Sequence, residues 1–278
     1  MLDSYAAAPR HKDAIAEAER LRAQLLLTWP KEARTLIWFG LRDGMHVVEL
    51  GSGPGFVTER LLALLPHSFL TAVEIDRRFI AGATEYLRTA GVWERCRIVE
   101  ASAATTGLPD DQFDFVIARL VFQHLAEPTQ AAREALRVLK PGGRLAIIDV
   151  DDALWGIADP PRPEETAILA KVAAAQQRAG GNRQIGRSLY RILAAAGFEQ
   201  LDLEAVVAHS DALGMQPFMA QLDANRLQPQ VEAGVISAED LEVVRASRRE
   251  FLASPRPFLL TLHLLACGRK PVGPLKES

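Results

Sequence analysis

The chain has 278 residues, 49% of them hydrophobic and 24% charged, with a formal net charge of -3, the make-up of a globular protein able to bury a sizeable core. No Lys/Arg tract is longer than a doublet, so the electrostatic footprint that nucleic acid demands is missing and no nucleic-acid partner is expected. The start, MLDSYAAAPRHKD, has no basic-then-apolar signal pattern, and no apolar run is long enough for a membrane span, so a cytoplasmic location is expected.

Residues 13 to 39 read as a helix, because Ala14, Ala18, Leu21 and Leu25 recur at helical spacing, with Pro30 interrupting the run. Short apolar runs then alternate with helical periods. The strand-like runs are HVVEL (46–50), FLTAVEI (69–75), CRIVE (96–100), FDFVIA (113–118) and RLAIID (144–149). Between them lie helices at 56–65, 77–90 and 128–139, the last closed by Lys140-Pro141-Gly142-Gly143. That alternation predicts a parallel sheet with helices on both faces. DDALWGIADPPRPEE, from 151, carries three prolines and reads as an exposed connection. Helices are expected at 163–179 and 187–196, strands at 198–208 and 258–268, and helical pattern over 211–254 between those strands. Cys96 and Cys267 sit in apolar strand-like runs without metal-ligand company and read as buried free thiols. No cluster with metal-ligand spacing is present, and no metal is expected.

VVELGSGPGFVTERL, residues 47 to 61, joins the first strand to the next helix through Gly51, Gly53 and Gly55. Open α/β sheets hold nucleotide-like ligands at such turns, where absent Cβ atoms let ligand and backbone meet and a helix start offers N–H groups. Phe56 stands where a dinucleotide fingerprint places its third glycine, and Glu49 ends the strand with a carboxylate that would repel a pyrophosphate. A ligand carrying an ammonium and a sulfonium suits the position better.

The segment resembles the first motif of the class I S-adenosylmethionine-dependent methyltransferases, and is similar especially to their small-molecule, ubiquinone/menaquinone-biosynthesis branch. AVEID (72–76) resembles the end of that family's second strand, GLPDDQFDFVIARLVFQHL (107–125) the stretch through the fourth, and EALRVLKPGGRLAIID (134–149) the helix, turn and fifth strand. The resemblance covers roughly residues 40 to 150. It implies a Rossmann-like, doubly wound, mostly parallel α/β sheet of seven strands with an antiparallel last strand and added helical lid segments. It further implies an N-terminal helical cover (1–40), a cofactor-binding core (41–150), a connection with helices and the sixth strand (151–208), a helical lid (209–256) and the last strand with a tail (257–278).

The implied cofactor is S-adenosyl-L-methionine, leaving as S-adenosyl-L-homocysteine. Its binding residues by resemblance are Glu49, Gly51, Gly53, Gly55, Glu74, Ile75, Ser102, Ala103 and Arg119. Glu74 would grip the ribose hydroxyls. Ser102-Ala103 stands where many relatives have Asp-Ala, leaving a hydroxyl for the adenine amino group. His124, just past the fourth strand, and His209, after the sixth, are candidate proton acceptors. Tyr5, Gln24 (within AERLRAQ), Trp155 and Phe218 are candidate substrate contacts, and Arg183 and Arg187 can hold an acidic group or flank a helix. The expected reaction is methyl transfer, an in-line displacement, to oxygen, nitrogen or carbon of a small organic molecule. Non-methylating chemistry on the same fold and a non-catalytic binding subunit stay as alternatives. The oligomeric state, homodimer included, is left open.

Overall fold

A computed structural model describes residues 14–154 and 156–273. The described residues begin with helix α1 (Ala14–Trp38) and then alternate: β1 (His46–Leu50), α2 (Phe56–Leu64), β2 (Phe69–Glu74), α3 (Arg77–Thr89), β3 (Cys96–Glu100), β4 (Phe113–Arg119), α4 (Pro128–Val138) and β5 (Leu139–Asp149). Next come β6 (Ile157–Asp159), α5 (Pro163–Arg178), α6 (Leu189–Ala196) and β7 (Glu199–His209). Short helical turns fill Ser210–Glu232, then α7 (Ala238–Ala253) leads to β8 (Phe258–Arg269). One sheet holds every strand, in the order β3-β2-β1-β4-β5-β8-β6, with β7 on the other flank of β8. Strands β1 to β5 run parallel, whereas β8 is antiparallel to both β5 and β7.

The sheet thus has eight strands, one more than expected. The addition is β6, which arises from the proline-rich stretch read as an exposed connection. It pairs with Phe258, Leu259 and Leu260, on the β5 side of β8, because β7 already fills the other side at Leu260. Three residues beside a proline run offer no alternation to read. The turn expected at Lys140 to Gly143 is absorbed into β5, where the pairing with β4 shifts register between Phe113 and Phe115. A Cβ on Gly143 would lie 2.9 Å from the Lys140 carbonyl oxygen, so that irregular stretch leaves room only for glycine.

Side-chain alternation explains why helices cover both faces. Val48, Leu50, Val116, Ala118, Leu145 and Ile147 pack on one face, against α4 and α6. Val47, Phe115, Ile117, Ala146 and Ile148 point the opposite way, against α1, α2 and α3. Cys96 and Cys267 lie in this second layer as buried free thiols, pushed up to about 12 and about 11 by burial. No helix among the described residues is long and apolar enough to cross a membrane.

Helix α1 is fastened to the sheet by a buried charge cluster as well as by Leu36 and Phe39. Glu32 has no solvent exposure and accepts from Thr28 Oγ1 at 2.8 Å, Arg119 Nε at 2.8 Å and His263 Nδ1 at 2.7 Å. Burial alone would raise the Glu32 carboxyl; the Arg119 charge and the His263 hydrogen bond outweigh it and hold the group at about 2. Burial also keeps His263 below the usual imidazole range, so the ring donates as a neutral partner. One carboxylate thereby joins the N-terminal helix, the end of β4 and β8.

Candidate active site

The parallel register brings the carboxyl ends of β1, β2, β4 and β5 to one edge of the sheet. Strand order reverses between β1 and β4, and open α/β sheets have their ligand crevice at such a point. A cavity of about 280 Å³ lies here. The Gly51–Pro54 turn, Glu74, Ile75, Ala101 and Ala103 line one part of it; Gln123, His124 and Arg183 line another; Arg20, Gln24, Gln221 and Arg226 come from α1 and the segment before α7.

All three motif glycines have left-handed φ (68°, 52° and 85°), each with a different neighbour. A Cβ on Gly51 would lie 2.5 Å from Val121 Cγ2, so that glycine serves the close approach of the β1 and β4 connections. On Gly55 it would press at 3.3 Å on Leu87, within the packing of α3. At Gly53 it would meet nothing within 4 Å. Gly53 therefore keeps space open at the cavity wall, which no contact inside the protein requires.

Alternation along β1 turns Glu49 toward α2, where Thr58 Oγ1 donates to it at 2.5 Å. Burial, opposed by that bond and reinforced by Glu74, pushes the carboxyl up to about 8. At neutral pH Glu49 is therefore mostly protonated. Glu74 ends β2 and is tied into the turn: Oε2 accepts from Gly53 N at 2.7 Å, and Oε1 from Ile75 N at 2.9 Å and Asp76 N at 2.8 Å. Burial raises it too, despite these three donors. Its carboxylate shapes the glycine turn as well as facing the cavity, a role the motif alone did not reveal.

Beyond β4 the chain passes through Leu120, whose φ of 58° is unusual for a branched side chain and costs about 1–3 kcal/mol. Its N–H donates to Ile148 O at 2.7 Å, which holds it there at the cavity wall. The Arg119 guanidinium is engaged by Glu32. Gln176 Nε2 donates to both Gln123 O and His124 Nδ1, at 3.1 and 3.2 Å, which places the neutral ring's proton on Nε2. Burial, aided by Arg183, pulls His124 down to about 3. His124 faces the cavity as a neutral ring whose Nδ1 is already engaged by Gln176.

Other candidates lie away from the cavity lining. Ser102 turns its hydroxyl to Ala104 N at 3.2 Å, leaving Ala101 and Ala103 on the wall. Phe218 has no exposure and packs with Leu27, Leu222, Phe251 and Leu259, so it is a core residue rather than a wall residue. His209 ends β7 against the Phe258 ring, 6.0 Å between centroids. Arg187 forms a bidentate pair with the buried Asp151 and is likewise absent from the wall. Tyr5 and Trp155 fall outside the described residues. Sequence reasoning missed Ser52, Leu120, Gln221 and Arg226, none of which carries a spacing signal.

Residues 48–147 match the family model of the methyltransferase domain. This core is a methyltransferase domain of the class I S-adenosylmethionine-dependent type. Over 111 residues it is 32% identical to the ubiquinone/menaquinone biosynthesis C-methyltransferase UbiE of Shewanella sediminis, a match covering 40% of this chain and 44% of that relative. The chain thus spans less than half the length of the curated relatives it matches. Among solved structures, the [4+2]-cyclase SpnF is similar with a TM-score of 0.55 at 26% identity, over 84% of this chain and 78% of that one. Phosphoethanolamine N-methyltransferase 2 of Haemonchus contortus, solved with S-adenosyl-L-methionine, shares the fold with a TM-score of 0.56 at 16% identity, covering 87% and 53%.

S-adenosylmethionine is the cofactor of this domain class, and the residues present suit it. Ser52 Oγ on the cavity wall is buried with no partner among the described residues, Gly53 leaves the turn unobstructed, and the acidic side chains Glu49 and Glu74, suited to a cationic ligand, are buried on the same wall.

Proposed function

We propose that the protein transfers a methyl group from S-adenosylmethionine to an oxygen, nitrogen or carbon of a small organic molecule. The observation that carries this reading is the open Gly53 turn between the buried carboxylates Glu49 and Glu74, inside the matched core. When bound, the cofactor supplies a methyl carbon activated by an adjoining sulfonium. Glu74 would hold the ribose hydroxyls, Ile75 and Ala103 would border the adenine, and Glu49 would face the ammonium. Gln24 and the wall formed by Leu120, Val121 and Leu125 would orient the acceptor and exclude water. Alignment of this kind can supply roughly 7–11 kcal/mol of a barrier.

A binding assay with adenosylhomocysteine, followed by a labelled-methyl assay over candidate acceptors, tests the reading. Bound cofactor without methyl transfer to any acceptor would favour non-methylating chemistry, a second reading supported by the likeness to a cyclase over most of the chain.

The protonated Glu49 sets a pH dependence. A ligand ammonium favours the ionised carboxylate, so binding below about pH 8 must expel a proton. Affinity for adenosylhomocysteine is expected to rise about tenfold per pH unit toward pH 8, flattening where the ligand's own ammonium, at about 7.7–8.0, begins to titrate. Glu49→Gln should bind more weakly and remove the rise. Calorimetry in buffers of different ionisation enthalpy reads the proton directly; release from wild type equal to that from the variant rejects this role.

Glu74→Ala should weaken adenosylhomocysteine about ten- to a hundredfold, since charged-group hydrogen bonds are lost. It also strands the N–H groups of Gly53, Ile75 and Asp76, so Glu74→Gln, able to accept from some of them, should fall between Ala and wild type in the same titration.

A further inference from the structure

The cavity wall opposite the glycine turn is rich in cationic donors, and their pairing is uneven. Arg20 is spent on Glu17, through Nε at 2.8 Å and Nη2 at 2.6 Å. Arg183 is spent on Asp152, again with two bonds, at 2.6 and 2.8 Å. Arg226 has no carboxylate partner among the described residues. Its Nη1 donates to two oxygens of Gln221, the backbone carbonyl at 3.0 Å and Oε1 at 2.9 Å.

That contact fixes the Gln221 amide with its oxygen toward the arginine, leaving Nε2 as the outstanding group. Gln221 is only 8% exposed, and Nε2 is buried with no partner among the described residues. Both residues line the cavity. A guanidinium without a carboxylate hydrogen-bond partner and a stranded amide N–H next to it are donors, and what they lack is an acceptor with negative charge. Glu165 is shared by Arg162 and Arg248, one carboxylate for two cations, and Glu17, whose charge also reaches Arg226, is already paired with Arg20. Burial, followed by the like charges of Arg20 and Arg248, lowers the Arg226 pKa, a cost that an arriving anion offsets.

We propose that Arg226, with Gln221 beside it, anchors a carboxylate or phosphate group of the acceptor molecule. This rests on the methyl-transfer reading for the word acceptor, but the anion site itself does not. The occupant is amphipathic: its charged end meets Arg226 and Gln221, and its body lies against apolar wall residues such as Leu21 and Leu125. Arg226 is a positioning residue; it fixes which end of the substrate stays away from the cofactor.

Calorimetry on the full chain, free and loaded with adenosylhomocysteine, tests this using benzoate and phenyl phosphate as probes and benzamide as the neutral control. Wild type should bind at least one anion and prefer it to benzamide, whichever of carboxylate and phosphate it favours. Arg226→Gln should weaken that anion about ten- to a hundredfold while leaving adenosylhomocysteine affinity unchanged. Gln221→Glu, which gives Arg226 an internal partner and so preserves folding, should cause the same selective loss. Benzamide bound as tightly as the anions, or anion binding unchanged in both variants, overturns the proposal. So does a parallel loss of adenosylhomocysteine with methylthioadenosine unaffected, which would assign Arg226 to the cofactor's carboxylate. Anion binding by a wild type that takes no adenosylhomocysteine would sustain the site and sink the methyl-transfer reading instead.

Discussion

Gly53→Val is expected to reduce adenosylhomocysteine binding by more than about a hundredfold while the protein stays folded. The reason is local. A Cβ at this position meets nothing within 4 Å, so no neighbour in the protein is displaced and the isopropyl group projects into the cavity. The φ of 52° disfavours a branched side chain by about 1–2 kcal/mol, for an expected fall in melting temperature of about 2–8 °C. The substitution also perturbs the N–H that Glu74 accepts from, so occlusion and a loosened turn act together. Gly51→Val provides the contrast, because its Cβ would fall 2.5 Å from Val121 and the packing of two connections would fail with the site. Calorimetry with circular dichroism separates the cases; a folded Gly53→Val protein with wild-type affinity would falsify the placement of the ligand.

The second large effect concerns stability. Glu32→Gln leaves the Arg119 guanidinium, 6% exposed, without its counter-charge and should destabilise the protein by about 3–5 kcal/mol in urea unfolding. The pH dependence has a definite sign. Glu32 is held at about 2, below the ordinary carboxyl value of 4.5, so its contribution is complete above that value and disappears as pH falls toward 2. Wild type should lose stability across that acid window, and the variant should lose much less. Glu49 and Asp149, raised by burial to about 8 and about 7, act in the opposite sense and weaken the protein as pH rises through those values. An acid limb identical in wild type and Glu32→Gln would reject this account.

The glycine-turn side of the cavity was legible because it is local. Strand, glycine turn and helix follow within fifteen residues, and the carboxylates Glu49 and Glu74 sit at strand ends that alternation locates. The strand runs were readable for the same reason, since buried parallel strands are written as short apolar segments. What escaped depends on distant partners. Glu32 meets Arg119 and His263 across 87 and 231 residues, and no spacing rule connects them. Ser102 was assigned by position within a motif, but its hydroxyl follows a local turn to Ala104. Phe218 was taken for a cavity residue because it is aromatic and lies in the expected lid; the same apolarity put it in the core. Arg226 and Gln221 lie five residues apart among short helical turns, where charge alone says nothing about which side faces a ligand.

Helix α1 carries Arg20 and Gln24 at the cavity and Glu32 in the sheet, with Pro30 between them. Proline has no N–H to give, so the carbonyl of Leu26, on an exposed residue, loses its usual helical donor at that turn. The mechanical compliance of the helix is thus concentrated between its ligand-side half and its riveted half. A bend at that turn would move residues 20 and 24 while leaving the contacts of Glu32 with Arg119 and His263 in place.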